Sequence, residues 1–284
     1  MTPLQGAALD RASDEVAYVS GRTRVFGIVG HPIEQVRSPE MFSAEFARRG
    51  RDALMIPVHV LPDAFEATVR ALMAVQNLDG LVFTIPFKQA ACALADELGV
   101  QAQAVGAINA LARQAGRWVG DIFDGAGCVE GFRRRGYSFA GQRVMLIGAG
   151  GAGTAIGVAV AHQHPRSLRV FDSDAKRAGD LAAKVRSIDP AIEVQIGTPS
   201  LDGMDILLNA SPIGMLGDPS MSIEVEHIRP EVIVFDAIVK PEQTKLLAVA
   251  QASGCRVVRG REMMRGQIAR MVEFFGYPEP EETP

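Results

Sequence analysis

The chain has 284 residues, more than one ordinary domain and fewer than three, so two domains sharing a cleft is the expected plan. With 48% hydrophobic and 22% charged residues, it has neither the charge excess of a disordered chain nor the apolar excess of a membrane one. A net charge of -4 gives no basic surplus for a phosphate backbone, which argues against nucleic acid as partner and for a small molecule.

No run of eighteen or more apolar residues occurs, and MTPLQGAALDRASDE lacks the basic-then-apolar order of a secretory signal. A cytoplasmic protein with no membrane partner is expected. Cys92, Cys128 and Cys255 are widely spaced and form no CxxC, so neither a disulfide framework nor a metal site is expected. Residues 1–22, small and polar, and 278–284, rich in Pro and Glu, read as loosely held tails.

In chain order, VFGIVG (Val25–Gly30) is the first strand, closed by His31-Pro32. Pro39 suits the first turn of a helix that places Met41, Phe42, Phe46 and Ala47 on one face. Leu54–Val60 reads as a strand, Pro62–Val75 as a helix, and Gly80–Thr84 as a strand stopped by Pro86. Residues 88–99 carry a helical pattern. In the second half RVMLIG (Arg143–Gly148), LRVFD (Leu168–Asp172), DILLNAS and VIVFDAI read as strands, with helices over Gly151–His162, Ala175–Ile188 and Glu262–Phe275. This alternation signals an α/β fold with largely parallel sheets.

Gly148-Ala149-Gly150-Gly151-Ala152-Gly153 matches GxGxxG directly after a strand and at the head of a helix. The first glycine allows the tight turn, the second lets the backbone approach a pyrophosphate, and the third lets helix and strand pack closely. The helix N-terminus then offers N–H groups to the phosphates. Asp172 ends the next strand, where an acid binds both ribose hydroxyls and repels a 2′-phosphate, so NAD is expected over NADP. Arg169 and Lys176 lie near enough in sequence to soften that preference.

From about Val25 to Gly276 the chain resembles the shikimate and quinate dehydrogenase family. GLVFTIPFK (Gly80–Lys88) is similar to GxNVTxPxK, GAINAL from Gly106 to GAVNTL, and GDIFDGAG from Gly120 to GDNTDGxG. NASPIGM from Asn209 resembles NATPxGM, and GREMMRGQ from Gly260 resembles GxxMLxxQ. The resemblance implies a Rossmann dinucleotide-binding domain over 125–260 and a discontinuous α/β substrate-binding domain over 23–124, with 261–277 returning to it. It implies Lys88 and Asp124 as the catalytic pair, Lys88 taking the hydroxyl proton and Asp124 holding lysine and hydroxyl in place. It places Ser38, Thr84, Asn109 and Gln267 against the substrate, and Ala210, Ser211, Ile238 and Gly260 beside the cofactor. A monomer or homodimer follows from the family alone.

The chain departs from that pattern in its polar contacts. The HSxSP loop appears as Gln35-Val36-Arg37-Ser38-Pro39, keeping one serine. Val82 replaces the Asn of NVT, Ile122 and Phe123 replace the Asn-Thr before the catalytic Asp, and Val239 replaces the Tyr of DxxYxP. Two lost carboxylate donors would weaken shikimate by roughly two to four powers of ten. The expected reaction is hydride transfer between nicotinamide and the CH–OH of a cyclic hydroxy acid for which shikimate is not optimal. The five replaced positions are expected to cluster around Lys88, and Arg37 is a candidate replacement partner for a carboxylate. A weak but true shikimate or quinate dehydrogenase is the alternative. A nucleotide-binding regulator without turnover is a second, which retention of both Lys88 and Asp124 opposes.

Overall fold

The computed structural model describes residues 19–280; the segments 1–18 and 281–284, parts of the two expected tails, lie outside the described residues. Two six-stranded sheets carry the chain. In the first, β1 (Arg24–Gly30) lies between β2 (Ala53–His59) and β3 (Leu78–Phe83), parallel to both. A strand so placed is covered on both faces, which is why its run is continuously apolar, with Phe26, Ile28 and Val29 buried. Helix α1 (Ser38–Arg48) starts with Pro39 in its first turn and buries Phe42 and Phe46, and α2 (Phe65–Met73) buries Phe65 and Val69.

The helix expected over 88–99 does not form. Residues Ala90–Leu94 make a 3-10 turn, Ala95 is extended, and Glu97–Leu98 become β4. Tertiary pairing overrides a good local propensity: the Asp96 N–H donates to the Trp118 carbonyl at 2.8 Å, and the Asp96 carboxylate accepts from the Trp118 N–H at 2.8 Å. A short helix, α3 (Val100–Val105), follows. The first sheet is also mixed rather than largely parallel, because a hairpin of β5 (Ala110–Gln114) and β6 (Arg117–Asp121) is inserted antiparallel to β3. Its two-residue turn, Ala115-Gly116, has φ of 50° and 82°, the left-handed pair that a type I′ hairpin requires.

Helix α4 (Asp124–Arg134) leads into the second sheet. There β7 (Arg143–Ile147), β8 (Ser167–Phe171), β9 (Glu193–Ile196), β10 (Ile206–Asn209), β11 (Ile233–Asp236) and β12 (Arg256–Arg259) are all parallel. Counted along the chain their spatial order is 3-2-1-4-5-6, the doubly wound dinucleotide-binding arrangement, whose strand order reverses between β7 and β10. Helices α5 (Gly151–Ala161), α6 (Ala175–Ile188) and α7 (Lys245–Ala252) flank it.

The last helix, α8 (Gly260–Phe274), joins both cores: Met263 packs with Phe132, Phe235 and Val258, while Ile268, Met271 and Val272 pack with Phe26, Phe42 and Val82. Within the Pro/Glu-rich end, Glu279 accepts from the Arg49 guanidinium at 2.9 Å, and that buried arginine also bonds Glu45 and the Ala269 carbonyl. Cys128 and Cys255 are buried and free, and Cys92 is free and partly buried. Among the described residues no cluster of three metal-ligating side chains occurs, and no helix is long and apolar enough to cross a membrane.

Asp236 is fully buried at the end of β11, accepting from Thr244 Oγ1 at 2.7 Å, Asn209 Nδ2 at 3.0 Å and the Ile238 N–H at 3.1 Å. Burial pushes its pKa up, and these three donors only partly oppose that. A carboxyl whose folded pKa exceeds its unfolded one contributes stability in acid that is lost as pH rises through the folded value. The Asp236→Asn variant is therefore expected to gain stability relative to wild type as pH rises from about 4. Denaturant unfolding of both proteins across that range checks it; a difference independent of pH would refute the assignment.

Candidate active site

The segment carrying Lys88 is held by a short turn, in which the Phe87 N–H bonds the Thr84 carbonyl at 2.9 Å. Phe87 anchors it, stacking on Phe65 with ring centroids 4.2 Å apart and planes 8° from parallel. The Lys88 carbonyl accepts from the Ile108 N–H at 2.8 Å, fixing the backbone from the other side. Asp124 opens α4, where a carboxylate suits the helix N-terminus. Lys88 Nζ donates to Asp124 Oδ2 at 2.5 Å, with the two side chains 16% and 4% exposed. Such shielding from water strengthens the pairing and fixes both groups.

Asn109 ties the neighbouring elements together. Its Oδ1 accepts from the Phe123 N–H at 3.0 Å, and its Nδ2 donates to Gln267 Oε1 on α8 at 3.2 Å. All six residues expected at the catalytic and substrate positions, Ser38, Thr84, Lys88, Asn109, Asp124 and Gln267, line one cavity of about 610 Å³. That volume suits a small molecule.

The same cavity runs to the carboxyl ends of β7, β8 and β10, at the reversal point of the second sheet. Gly148, Gly150, Gly151 and Ala152 line it, as do Asp172, Ala210, Ser211, Ile238 and Gly260. Ala149 and Gly153 do not. Ala149 is buried behind the loop, its N–H donated to Asp172 Oδ2 at 2.6 Å, and Gly153 is pressed against the Gly148 carbonyl. Added at Gly150, a Cβ would meet nothing within 4 Å, so the loop presents bare backbone to the open space. A Cβ at Gly151 would lie 3.4 Å from the Lys88 Cβ, which brings the glycine loop and the lysine face to face. This cradle fits a dinucleotide: glycine backbone and the head of α5 for the phosphates, Asp172 for the ribose.

Arg177, in the first turn of α6, lines the cavity beside Asp172 and was not singled out by sequence. The cations that sequence did single out point elsewhere: Arg169 bonds Gln195 and Lys176 bonds Asp180. Arg37 lies outside the lining, paired on the surface with Glu40. Of the five apolar replacements, Val36, Val82 and Val239 line the cavity, but Ile122 and Phe123 do not. Ile122 packs with Val105, Ala155 and Val158, and Phe123 sits against Phe274 at 5.3 Å. The expected cluster of five is thus a cluster of three. The lining also includes Gln35 and Met264, which stand in the quoted motifs but were given no role, and Met271, which nothing in the spacing marks. His31 and His59, given no role from sequence, stack with Nδ1 and Nε2 2.9 Å apart, outside that lining.

A doubly wound sheet, a glycine loop at its reversal point and a buried Lys–Asp pair facing that loop define a nicotinamide-linked oxidoreductase of the CH–OH class. Comparison with known proteins agrees. Residues 28–111 match the family model described as shikimate dehydrogenase substrate binding domain. The NADP(+) shikimate dehydrogenase of Shouchella clausii is 34% identical over 89% of this chain and 93% of its own. The structure of Listeria monocytogenes shikimate 5-dehydrogenase with shikimate and NAD superposes with a TM-score of 0.81 at 26% identity, covering 96% of this chain and 97% of that one. The 5-ketofructose reductase of Gluconobacter sp. strain CHM43 does so with a TM-score of 0.77 at 28% identity, covering 92% and 96%. The chain belongs to the shikimate dehydrogenase family.

Proposed function

We propose that this protein transfers a hydride between a nicotinamide cofactor, NAD in preference to NADP, and a CH–OH carbon of a cyclic hydroxylated substrate other than shikimate. The observation that carries this reading is the Lys88–Asp124 pair, 2.5 Å apart in the cavity that also holds the glycine loop. A nicotinamide cofactor held by the glycine loop and Asp172 would supply the hydride acceptor. Lys88 Nζ, as the neutral amine bonded to Asp124, takes the hydroxyl proton and becomes the ammonium that Asp124 pairs with, the carbon becomes a carbonyl, and in the reverse direction the ammonium returns the proton. Asp124 Oδ2 orients the amine, while Asn109 and Gln267, already bonded to each other, hold the polar edge of the ring. We assign these roles to a substrate-binding domain, 23–124 with the returning 261–277, and a nucleotide-binding domain, 125–260.

Substrate preference rests on Val36, Val82 and Val239, which remove hydrogen-bonding groups from the cavity. Relatives with this fold include one named for shikimate and one named for 5-ketofructose, so the fold is not tied to one substrate. The test is a screen by the near-ultraviolet absorbance of reduced nicotinamide, offering NAD or NADP with shikimate, quinate and less polar cyclic hydroxy compounds. Turnover of another ring above shikimate supports the reading. Efficient turnover of shikimate overturns the substrate preference, and silence with bound cofactor would favour a regulator.

The cofactor preference rests on Asp172. Its carboxylate is fixed by the Ala149 and Asp174 N–H groups at 2.6 and 2.9 Å, so a 2′-phosphate meets a negative charge that cannot swing away. Arg177 opposes this only in part, since it pairs with Asp174 at 3.5 Å. The Asp172→Ser variant is expected to shift the NAD to NADP ratio of kcat/KM toward NADP by about tenfold or more, about 1.4 kcal/mol. An unchanged ratio would remove Asp172 from cofactor selection.

A further inference from the structure

The carboxyl ends of β10 and β11 carry a polar pair with no exposed surface. Asn209 ends β10 and Asp236 ends β11, opposite each other in parallel register, and both are fully buried. Neither lines the cavity. The glycine loop and Asp172 belong to the first mononucleotide half of the sheet, β7 to β9, so the second half, β10 to β12, is the one that takes the nicotinamide nucleotide.

The pair reaches the cavity through two loops. Asn209 Oδ1 accepts from the Ser211 N–H at 3.1 Å and from Ser211 Oγ at 2.7 Å. Asn209 Nδ2 donates to Asp236 Oδ1 at 3.0 Å, and that same oxygen accepts from the Ile238 N–H at 3.1 Å. Ser211 and Ile238 both line the cavity that holds Lys88. Asp236 Oδ2 accepts from Thr244 Oγ1 at 2.7 Å, and Thr244 caps α7 from outside the lining. The loops are also tied to each other, the Leu216 N–H donating to the Lys240 carbonyl at 3.3 Å. Gly260 closes on the second loop, where an added Cβ would fall 2.5 Å from the Ala237 and Ile238 carbonyl oxygens.

A buried carboxyl is costly, and the three donors bonded to this one are all neutral. Holding the strands together does not require it, since β10 and β11 are paired through their backbones and packed through Leu207, Leu208, Val234 and Phe235. What the pair does supply is acceptors for the Ser211 and Ile238 N–H groups, where the chain has left the ladder and has no strand partner. Resting on the proposed function, we infer that Asn209 and Asp236 are positioning residues for the nicotinamide ring. They act only through the Ser211 and Ile238 loops, fixing both so that the ring is held in the pose from which hydride transfer occurs.

The test compares NADH with ADP-ribose, which lacks the nicotinamide, by calorimetric titration, so it needs no substrate. Wild type is expected to bind NADH about tenfold more tightly. Asp236→Leu, similar in size but without an acceptor, is expected to lose most of that excess while ADP-ribose affinity stays within about threefold. Asp236→Asn keeps an acceptor oxygen for Asn209 and Ile238 and can donate to Thr244 Oγ1, so its excess is expected within about threefold of wild type. Thermal melts show which variants fold. Should Asp236→Leu not fold, Thr244→Val carries the test, because Thr244 lies outside the lining and valine has nearly its shape. There NADH affinity is expected to fall about threefold with ADP-ribose unchanged. Equal losses on both ligands, or no loss on either, in these two variants overturn the inference and leave the dehydrogenase reading intact. So does a wild type that binds NADH no more tightly than ADP-ribose. A loss in Asp236→Asn as large as in Asp236→Leu or Thr244→Val also overturns it, since hydrogen-bond geometry would then not be what acts. A wild type that binds neither ligand removes the dehydrogenase reading and this inference together.

Discussion

Replacing Lys88 with Met is expected to lower turnover roughly 100- to 10,000-fold, the range a positioned acid–base group contributes, while cofactor affinity changes little. Met is the better choice than Ala because the lysine stem lies alongside the glycine loop, with Cβ and Cδ at 3.4 and 3.6 Å from where a Gly151 Cβ would stand. Truncating that stem would loosen the wall of the cofactor cradle and mix a packing effect into a chemical one. With Met the wall is kept and only the amine is lost. Asp124 would then be a buried carboxylate without its cation, so a modest loss of stability should accompany the loss of rate. Steady-state kinetics with a cofactor titration on the same sample check this. A turnover within threefold of wild type, with cofactor bound, would remove Lys88 from the chemistry.

The fold class and the nucleotide half were legible in the sequence because both rest on local signals. A short apolar strand, a glycine turn and an Ala-rich helix follow one another within Arg143–Ala161, and the strand order then falls out of right-handed parallel connections. The substrate half was less legible where long-range pairing decides. Residues 88–99 have the composition of a helix, yet Trp118 claims Asp96 and turns the segment into an edge strand. The hairpin at Ala110–Asp121 did carry a signal, an Ala-Gly turn between two short runs, but it lay between the motifs that begin at Gly106 and Gly120 and belonged to neither.

The site shows the same division. Residues tied to a motif, Lys88, Asp124, Asn109 and Gln267 among them, come together in one cavity although they are far apart in the chain. Direction is what a motif cannot convey. Ile122 and Phe123 flank Asp124 in sequence, but as residues leading into a helix they point into separate apolar cores. Gln35 and Arg37 show the converse: two residues apart on one loop, Gln35 is among the lining residues and Arg37 pairs with Glu40 at the surface.

Gly150 and Gly153 make a paired prediction that separates folding from cofactor binding within a single loop. Gly153 has no room: a Cβ there would stand 1.9 Å from the Gly148 carbonyl oxygen, which is backbone and cannot rotate aside. Gly148 is itself held with φ of 97° and with a Cβ position only 2.8 Å from the Ala210 carbonyl carbon, so the strain has nowhere to go. Gly153→Ala is expected to cost about 3 kcal/mol and to weaken cofactor binding together with stability. Gly150 differs in both respects. Its φ of -70° is one any residue adopts, and a Cβ there meets nothing within 4 Å, so Gly150→Ala should melt at the wild-type temperature. The methyl group would occupy the open side of the loop, where the pyrophosphate must approach the backbone, and cofactor affinity should fall about tenfold. Melting curves with and without cofactor read both quantities. If Gly150→Ala binds cofactor as wild type does, the glycine loop is a packing device and the phosphates lie elsewhere; if Gly153→Ala is as stable as wild type, the contact at 1.9 Å is relieved by a movement of the loop that its other bonds do not prevent.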